Sequence, residues 1–237
     1  MTLPSMTRAE IQERAHEKHK LLLNFLAGGE VWTTVEVAAI LLRCSRQSAL
    51  RTLQSMQHQG LVKFDAIDRG LKLWGVTNHG IGLAGHPSPS LREFEVGKTN
   101  HRYITHHVQT QLTRLNAELA GWRDWTPDKI LYSPGNNHRL KKIPDALTTR
   151  PDGKRIAVEI ELFIKSKKRL AEIVAAYLIQ IKDGHHDLVC YVTPHPDALR
   201  RALAALDEIR IAETTVKLTP AHRERFLVFD IDKFPNL

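Results

Sequence analysis

From Arg155 to Phe163 the chain alternates in a way that only an extended strand accommodates. Ile156, Val158, Ile160 and Leu162 fall on one side, which suits a core. Glu159 and Glu161 fall on the other, roughly 6.6 Å apart at Cα. A second extended run, Ile143 to Thr149, precedes it, and Pro151-Asp152-Gly153 between the two is a turn signal. Asp145 enters that earlier run directly after Pro144, so the tight turn can place it beside the two glutamates.

Three carboxylates on adjacent strands make an oxygen-rich pocket. Hard cations such as Mg²⁺ prefer such ligands and keep waters that exchange with phosphate oxygens. Without a cation, three neighbouring anions repel one another and repel DNA. A Glu-x-Glu on a strand is also a common solvated face, and that plain reading stands beside the metal one. The chain as a whole is basic, with 34 Lys and Arg against 26 Asp and Glu and a formal charge of +8. Excess positive charge points to a phosphate-rich partner, or to no more than a soluble basic protein.

With 237 residues, 42% of them hydrophobic, the chain can build one large core or two ordinary ones. No window approaches the ~18 consecutive apolar residues of a membrane span, so membrane insertion is not expected. Nor does the N-terminus read as an export signal. Two cysteines, Cys44 and Cys190, make neither a disulfide framework nor a zinc ligand set, which suits a reducing cytoplasm.

The first third predicts three helices and a hairpin. His16 to Leu26 carries an apolar stripe ending at Gly28-Gly29. Thr33-Thr34 caps a second helix, Val35 to Leu42, with Glu36 placed as in a capping box. Ser45 opens a third, running to Gln59 and stopped by Gly60. It buries Ala49, Leu50, Leu53 and Met56 and turns Arg46, Gln47, Ser48 and Arg51 outward. Two strands follow, Leu61–Phe64 and Leu71–Val76, with Asp68-Arg69-Gly70 as the turn. Three helices and a hairpin in this order resemble the winged helix-turn-helix family. The resemblance implies that Ser45, Arg46, Gln47, Ser48 and Arg51 face DNA in the major groove, with Arg69 and Lys72 on the wing. Winged helices also serve as protein-docking modules, and that alternative stays open.

Residues 1–82 therefore read as a DNA-binding domain and 83–102, with Gly85, Pro87, Pro89 and Gly97, as a linker. Over 103–237 the pattern predicts a helix from Tyr103 to Ala120, strands at Lys129–Tyr132, Ile143–Thr149 and Arg155–Phe163, and a helix from Ser166 to Ile181. A buried strand, Asp187–Thr193, comes next, then a helix from about Pro196 to Leu206 and a last strand, Phe226–Ile231. The overall expectation is an α+β or α/β chain. Helix, three strands, helix, strand around a mixed sheet resembles the PD-(D/E)xK restriction-endonuclease-like superfamily, over roughly Tyr103 to Thr193.

That resemblance implies Asp145 and Glu159 as metal ligands for Mg²⁺ or Mn²⁺. The family's usual Lys is replaced by Glu161, which would orient or deprotonate water or bind a second metal. Lys165, four residues on, can take the missing ammonium's place. Glu118 on the preceding helix sits where an accessory acid is usual. Lys141, Lys142, Lys167 and Lys168 are candidates to clamp backbone phosphates, or are solvated turn and helix ends. Tyr177 lies on the apolar stripe of its helix and reads as core.

Thirteen histidines produce neither His-x-His around an apolar residue nor H-E-x-x-H. A Walker A run is missing too, so intrinsic ATPase activity is not expected. A winged helix followed by a PD-(D/E)xK domain that departs at the Lys, in about 240 residues, resembles the MOBC-type relaxases of mobilizable plasmids, in the replication-relaxation group. Membership would imply nicking of one strand of double-stranded plasmid DNA at an origin of transfer, in a bacterial cytoplasm, with an accessory mobilization protein and a coupling protein as partners. Two other readings remain: a non-catalytic DNA-binding regulator with a degenerate nuclease domain, and an endonuclease that cuts both strands.

Overall fold

A computed structural model describes residues 7–67, 70–88, 91–132, 140 and 142–236. Arg69 and Lys141, both expected to meet DNA, lie outside them. The chain mixes α and β structure and divides into two compact units, 1–111 and 112–237.

The first unit opens with α1 (Arg8–Phe25), whose capping box joins Thr7 and Glu10. The helix buries only Leu22, Leu23 and Phe25 near its end, and a π-turn over Leu26–Glu30 follows. Gly29 there sits at φ 122°, a conformation that penalises any side chain. Strand β1 (Trp32–Thr33) leads into α2 (Val35–Leu41). The cap of α2 is Thr34, which accepts from the Val37 N–H. Of the expected Thr33-Thr34 pair only Thr34 caps, because the Thr33 hydroxyl is buried and donates to Gln111 Oε1 at 2.9 Å. Helix α3 (Arg46–His58) has Ser45 as its cap and buries Ala49, Thr52, Leu53 and Met56. Gly60, at φ 70°, ends it as its sequence position requires.

Strands β2 (Val62–Ala66) and β3 (Lys72–Val76) pair antiparallel, with β1 on the other side of β3, giving the order β1-β3-β2. A short helix, α4 (Asn78–Leu83), is capped by Thr77. The stretch expected to be a linker does not hang free. Phe94 is buried, and its N–H donates to the Val76 carbonyl at 2.9 Å. The Gly97 N–H donates to Asp65 and the Asn78 N–H to Glu93. Gly75 makes this possible: a Cβ there would meet the Phe94 ring at 2.0 Å. Gly and Pro frequency signalled irregular backbone correctly but carried no information about the aromatic that anchors it.

Helix α5 (Ile104–Leu119) contains the division between the units. In the second unit β4 is Arg123–Pro127, ahead of the strand expected at Lys129–Tyr132. Those later residues form a short helix, α6 (Asp128–Leu131), after Pro127 turns the chain. The Asp128 carboxylate accepts from the Lys129 N–H at 2.7 Å, a local bond that competes with sheet pairing. Strands β5 (Ala146–Thr149) and β6 (Arg155–Ile160) form the hairpin read from the alternation. Helix α7 (Lys167–Lys182), capped by Ser166, links β6 to β7 (Leu188–Thr193). After α8 (Pro196–Ala204) comes a hairpin that the sequence reading missed, β8 (Glu208–Ile211) with β9 (Thr214–Lys217). Its turn puts Ala212 at φ 52° with no glycine to announce it. A one-turn helix, α9 (Pro220–Arg223), and β10 (Phe226–Asp230) complete the unit.

Among the described residues the sheet order is β10-β7-β6-β5-β4. Strands β10, β7 and β6 run parallel, whereas β5 and β4 are antiparallel to their neighbours. Both faces are covered. Ile156, Val158, Ile160, Cys190 and Val192 pack with Trp122, Trp125 and Phe234. On the other face Ala157, Val189 and Tyr191 pack with Leu170, Ile173, Val174 and Tyr177 of α7. Two-sided burial explains why β7 is buried along its whole length and apolar from Leu188 to Val192 apart from the Tyr191 hydroxyl. It also settles which environment Glu159 enters: by alternation from Ala157, it faces α7.

Candidate active site

The carboxylates meet where the sheet changes from antiparallel to parallel pairing. Asp145 stands just before β5, its N–H donating to the Val158 carbonyl at 3.0 Å. Its Oδ2 accepts from the Ile160 N–H at 2.7 Å. Glu159 is the penultimate residue of β6, opposite Tyr191 of β7. Glu161 follows the strand, and its N–H donates to the Val192 carbonyl at 2.9 Å. Backbone bonds to a neighbouring strand thus hold each of the three residues. The carboxyl ends of parallel strands are the usual place for a site in such sheets.

A solvated face is excluded, because Glu159 and Glu161 are only 5% and 4% exposed. Burial without partners would be costly, and each has a lysine. Lys142 Nζ lies 2.5 Å from Glu159 Oε1 and also donates to the Ile143 carbonyl at 2.7 Å. Lys165 Nζ pairs with Glu161 Oε2. The Tyr177 hydroxyl, reaching across from α7, donates to Glu159 Oε1 as well. Gln180, one turn on, donates from Nε2 to the Lys142 carbonyl at 2.7 Å and so braces the segment that carries this lysine.

Burial pushes the Glu159 carboxyl up to about 7, and the Asp145 charge adds to the rise. Lys142 and the Tyr177 hydroxyl oppose it. The Tyr177 phenol is held well above its ordinary range, by burial first and by Glu159 second, so it remains a donor. Tyr191 is raised likewise, by burial and then by Glu159 and Glu161, and its hydroxyl has no hydrogen-bond partner among the described residues. Perturbed acids that share one location are a mark of functional sites.

Several expectations need correction. The three carboxylates do not form one ligand cluster: among the described residues no group of three or more His, Cys, Asp or Glu is placed to hold a metal. The reason is that Glu161 turns to Lys165, leaving Asp145 and Glu159 as the pair whose charges act on each other. Two hard-oxygen residues still fit Mg²⁺ or Mn²⁺, which are commonly held by one or two carboxylates together with substrate phosphates. Lys142, read as a phosphate clamp, is instead committed to Glu159. Lys165 forms an ion pair with Glu161. Glu118 is exposed and paired with Arg114 at 2.8 Å.

The role of Tyr177 was missed. It lies on an apolar stripe and is fully buried, so spacing alone reads it as core. A tyrosine rather than phenylalanine at a buried position facing a glutamate strand was the available signal. Lys167 and Lys168 are exposed at the start of α7.

In the first unit Gln47 and Arg51 lie one turn apart on the exposed face of α3. Ser45 is occupied as the cap, and Ser48 Oγ accepts from Lys18 at 3.2 Å. Arg46 pairs with Glu36 at 2.9 Å. Lys72 is exposed, with its ammonium 4.4 Å from the centre of the Phe64 ring.

No family model matches the chain, and no curated protein does. A solved structure of Lactococcus lactis ZitR, a C30AH42A mutant in apo form, is similar at 23% identity over 48% of this chain and 72% of that one. Its TM-score is 0.27, an overlap too slight to support an argument about fold or function. No helix among the described residues is long and apolar enough to cross a membrane.

Proposed function

We propose that this chain is a metal-dependent enzyme that cuts a DNA phosphodiester, with the first unit reading duplex DNA and the second cutting it. The observation that carries the reading is the buried Glu159 beside the half-buried Asp145, with the Glu159 carboxyl raised to about 7 and tied to Lys142 and Tyr177. Burial and the neighbouring Asp145 charge both raise the proton affinity of Glu159, a cost near neutral pH that packing alone does not require. Such an arrangement is retained for chemistry.

Asp145 and Glu159 would hold Mg²⁺ or Mn²⁺. The ion, when bound, supplies charge to polarise the phosphate and to acidify a water. The protein's own groups then have separate tasks. Tyr177 and Lys142 fix Glu159 Oε1, which leaves the rest of the carboxylate oriented from the α7 side. Lys165, held by Glu161, supplies a positive charge where negative charge develops on phosphate oxygens. The exposed face of α3, with Gln47 and Arg51, suits a major groove.

The element order around the second sheet and the three helices with a hairpin before it support the winged-helix and PD-(D/E)xK assignments. They also support the more specific proposal of a MOBC-type relaxase nicking one strand at a plasmid origin of transfer. A second reading, a DNA-binding regulator whose cutting site has decayed, is favoured by one observation: lysines already neutralise Glu159 and Glu161.

Supercoiled origin-bearing plasmid incubated with protein and Mg²⁺ or Mn²⁺ distinguishes them. The enzyme yields open circles, and Asp145→Asn and Glu159→Gln do not. Nicking that persists in both variants overturns this site. Specific binding with intact plasmid under every metal selects the regulator, and linear product selects an endonuclease that cuts both strands.

A further inference from the structure

We propose that Phe163 is a stacking platform for an unpaired base of the DNA strand at the cutting site. This makes single-stranded or locally opened DNA the preferred substrate of the second unit. The inference rests on the phosphodiester-cutting reading above and adds the substrate's form to it.

Phe163 is 80% exposed, more than any other large hydrophobic among the described residues. An exposed apolar side chain is ordinary, and Ile164 beside it is exposed as well. The place of Phe163 is not ordinary. It lies two residues beyond Glu161, so its Cα is no more than about 7 Å from that of Glu161. The loop that carries it is held at both ends. Glu161 is bonded through its N–H to β7, and Lys165 returns to pair with the Glu161 carboxylate. Ser166 then caps α7 by accepting from the Arg169 N–H at 3.3 Å. Between these anchors Leu162 turns inward against the Trp122 and Trp125 core, and Phe163 therefore turns out. The ring is presented by a braced loop.

Its surroundings select the occupant. Lys167 and Lys168 are exposed in the first turn of α7, and neither has a carboxylate partner among the described residues. Arg169 beside them is paired with Glu172 at 3.0 Å. An apolar protein partner would have to desolvate those two ammonium groups. A nucleotide uses both features: its base covers the ring and its flanking phosphates meet the lysines. In a closed duplex the base faces are already stacked on one another, so the ring can be used only where a base is unpaired or displaced.

The test uses the full chain without added divalent metal and a fluorescein-labelled oligonucleotide, offered single-stranded and as its duplex. Fluorescence anisotropy gives both affinities, and thermal unfolding confirms that an exposed substitution leaves the fold intact. Phe163→Ala is expected to weaken single-strand binding roughly 5- to 100-fold, while Phe163→Trp retains it. Duplex affinity, carried by the first unit, stays within about twofold of the unaltered protein's. Single-strand affinity unchanged in Phe163→Ala overturns the stacking role. Equal losses on both DNAs overturn it too, as does recovery by Phe163→Leu as complete as by Phe163→Trp, which would indicate an apolar protein-type surface. Plasmid nicking that survives these results leaves the cutting assignment standing. An unaltered protein that binds neither DNA removes both.

Discussion

The Tyr177 hydroxyl donates to Glu159 Oε1 across the interface between α7 and β6, and the same oxygen accepts Lys142 Nζ. A helix residue and a loop residue thus converge on one carboxylate that the strand has turned into the protein. Tyr177→Phe keeps the ring and removes only the donor. We expect Mn²⁺ affinity, measured by calorimetry, to fall roughly tenfold, as when a ligand's supporting hydrogen bond is removed. The unfolding free energy should fall by about 1 kcal/mol. Unchanged metal affinity would show that Tyr177 is packing alone.

The Glu159 carboxyl, raised by burial and by Asp145 to about 7, links stability to pH in the metal-free protein. The folded chain binds this proton more tightly than the unfolded chain does, for which 4.5 is the ordinary value. Its contribution is therefore fully present below about 4.5 and is lost as pH rises through about 7. Glu159→Gln should remove that loss. Urea midpoints measured from pH 5 to about 8 should fall more steeply in the unaltered protein than in the variant. His186, pushed down to about 4 mainly by burial, works in the opposite sense: its contribution is complete above about 6.5 and is lost as pH falls toward 4. Both proteins keep His186, so the difference between their curves isolates Glu159. Parallel curves would refute the assignment.

Arg51 projects from the exposed face of α3 and has no ion-pair partner among the described residues, whereas Arg46 is held by Glu36. Arg51→Ala should weaken duplex binding by about 1–3 kcal/mol, and Arg46→Ala by less, in filter-binding or anisotropy titrations. A larger effect at Arg46 would put the DNA elsewhere on the first unit.

Gly75→Ala places a methyl group where the Phe94 ring now sits, 2.0 Å from Cγ. Since Phe94 anchors the following segment to β3, the variant should lose about 1–3 kcal/mol of stability by overpacking. Hydrogen exchange should rise at the Phe94 and Gly97 amides, which donate to Val76 and Asp65. A double variant with Phe94→Ala should recover part of the loss. No recovery would mean that the clash is not with this ring.

The order of elements was largely legible in the sequence, because local rules govern it. The alternation at Ile156, Val158 and Ile160 marked β6 and its core face, and Ser45, Ser166 and Gly60 marked helix ends by hydrogen bonding or backbone conformation alone. The proximity of Asp145 to Glu159 was legible for the same reason, as a consequence of one tight hairpin. The β8–β9 turn and the seat of Phe94 escaped, since neither leaves a periodic trace. What only the tertiary structure decided is the state of the carboxylates. Strand periodicity says that Glu159 and Glu161 oppose the core residues, but not that α7 covers that side as well. Burial by α7, and the arrival of Tyr177 and Lys142 from distant parts of the chain, turn a charged strand face into a proton-binding site. Desolvation and long-range contacts set proton affinity, and neither is a property of local sequence.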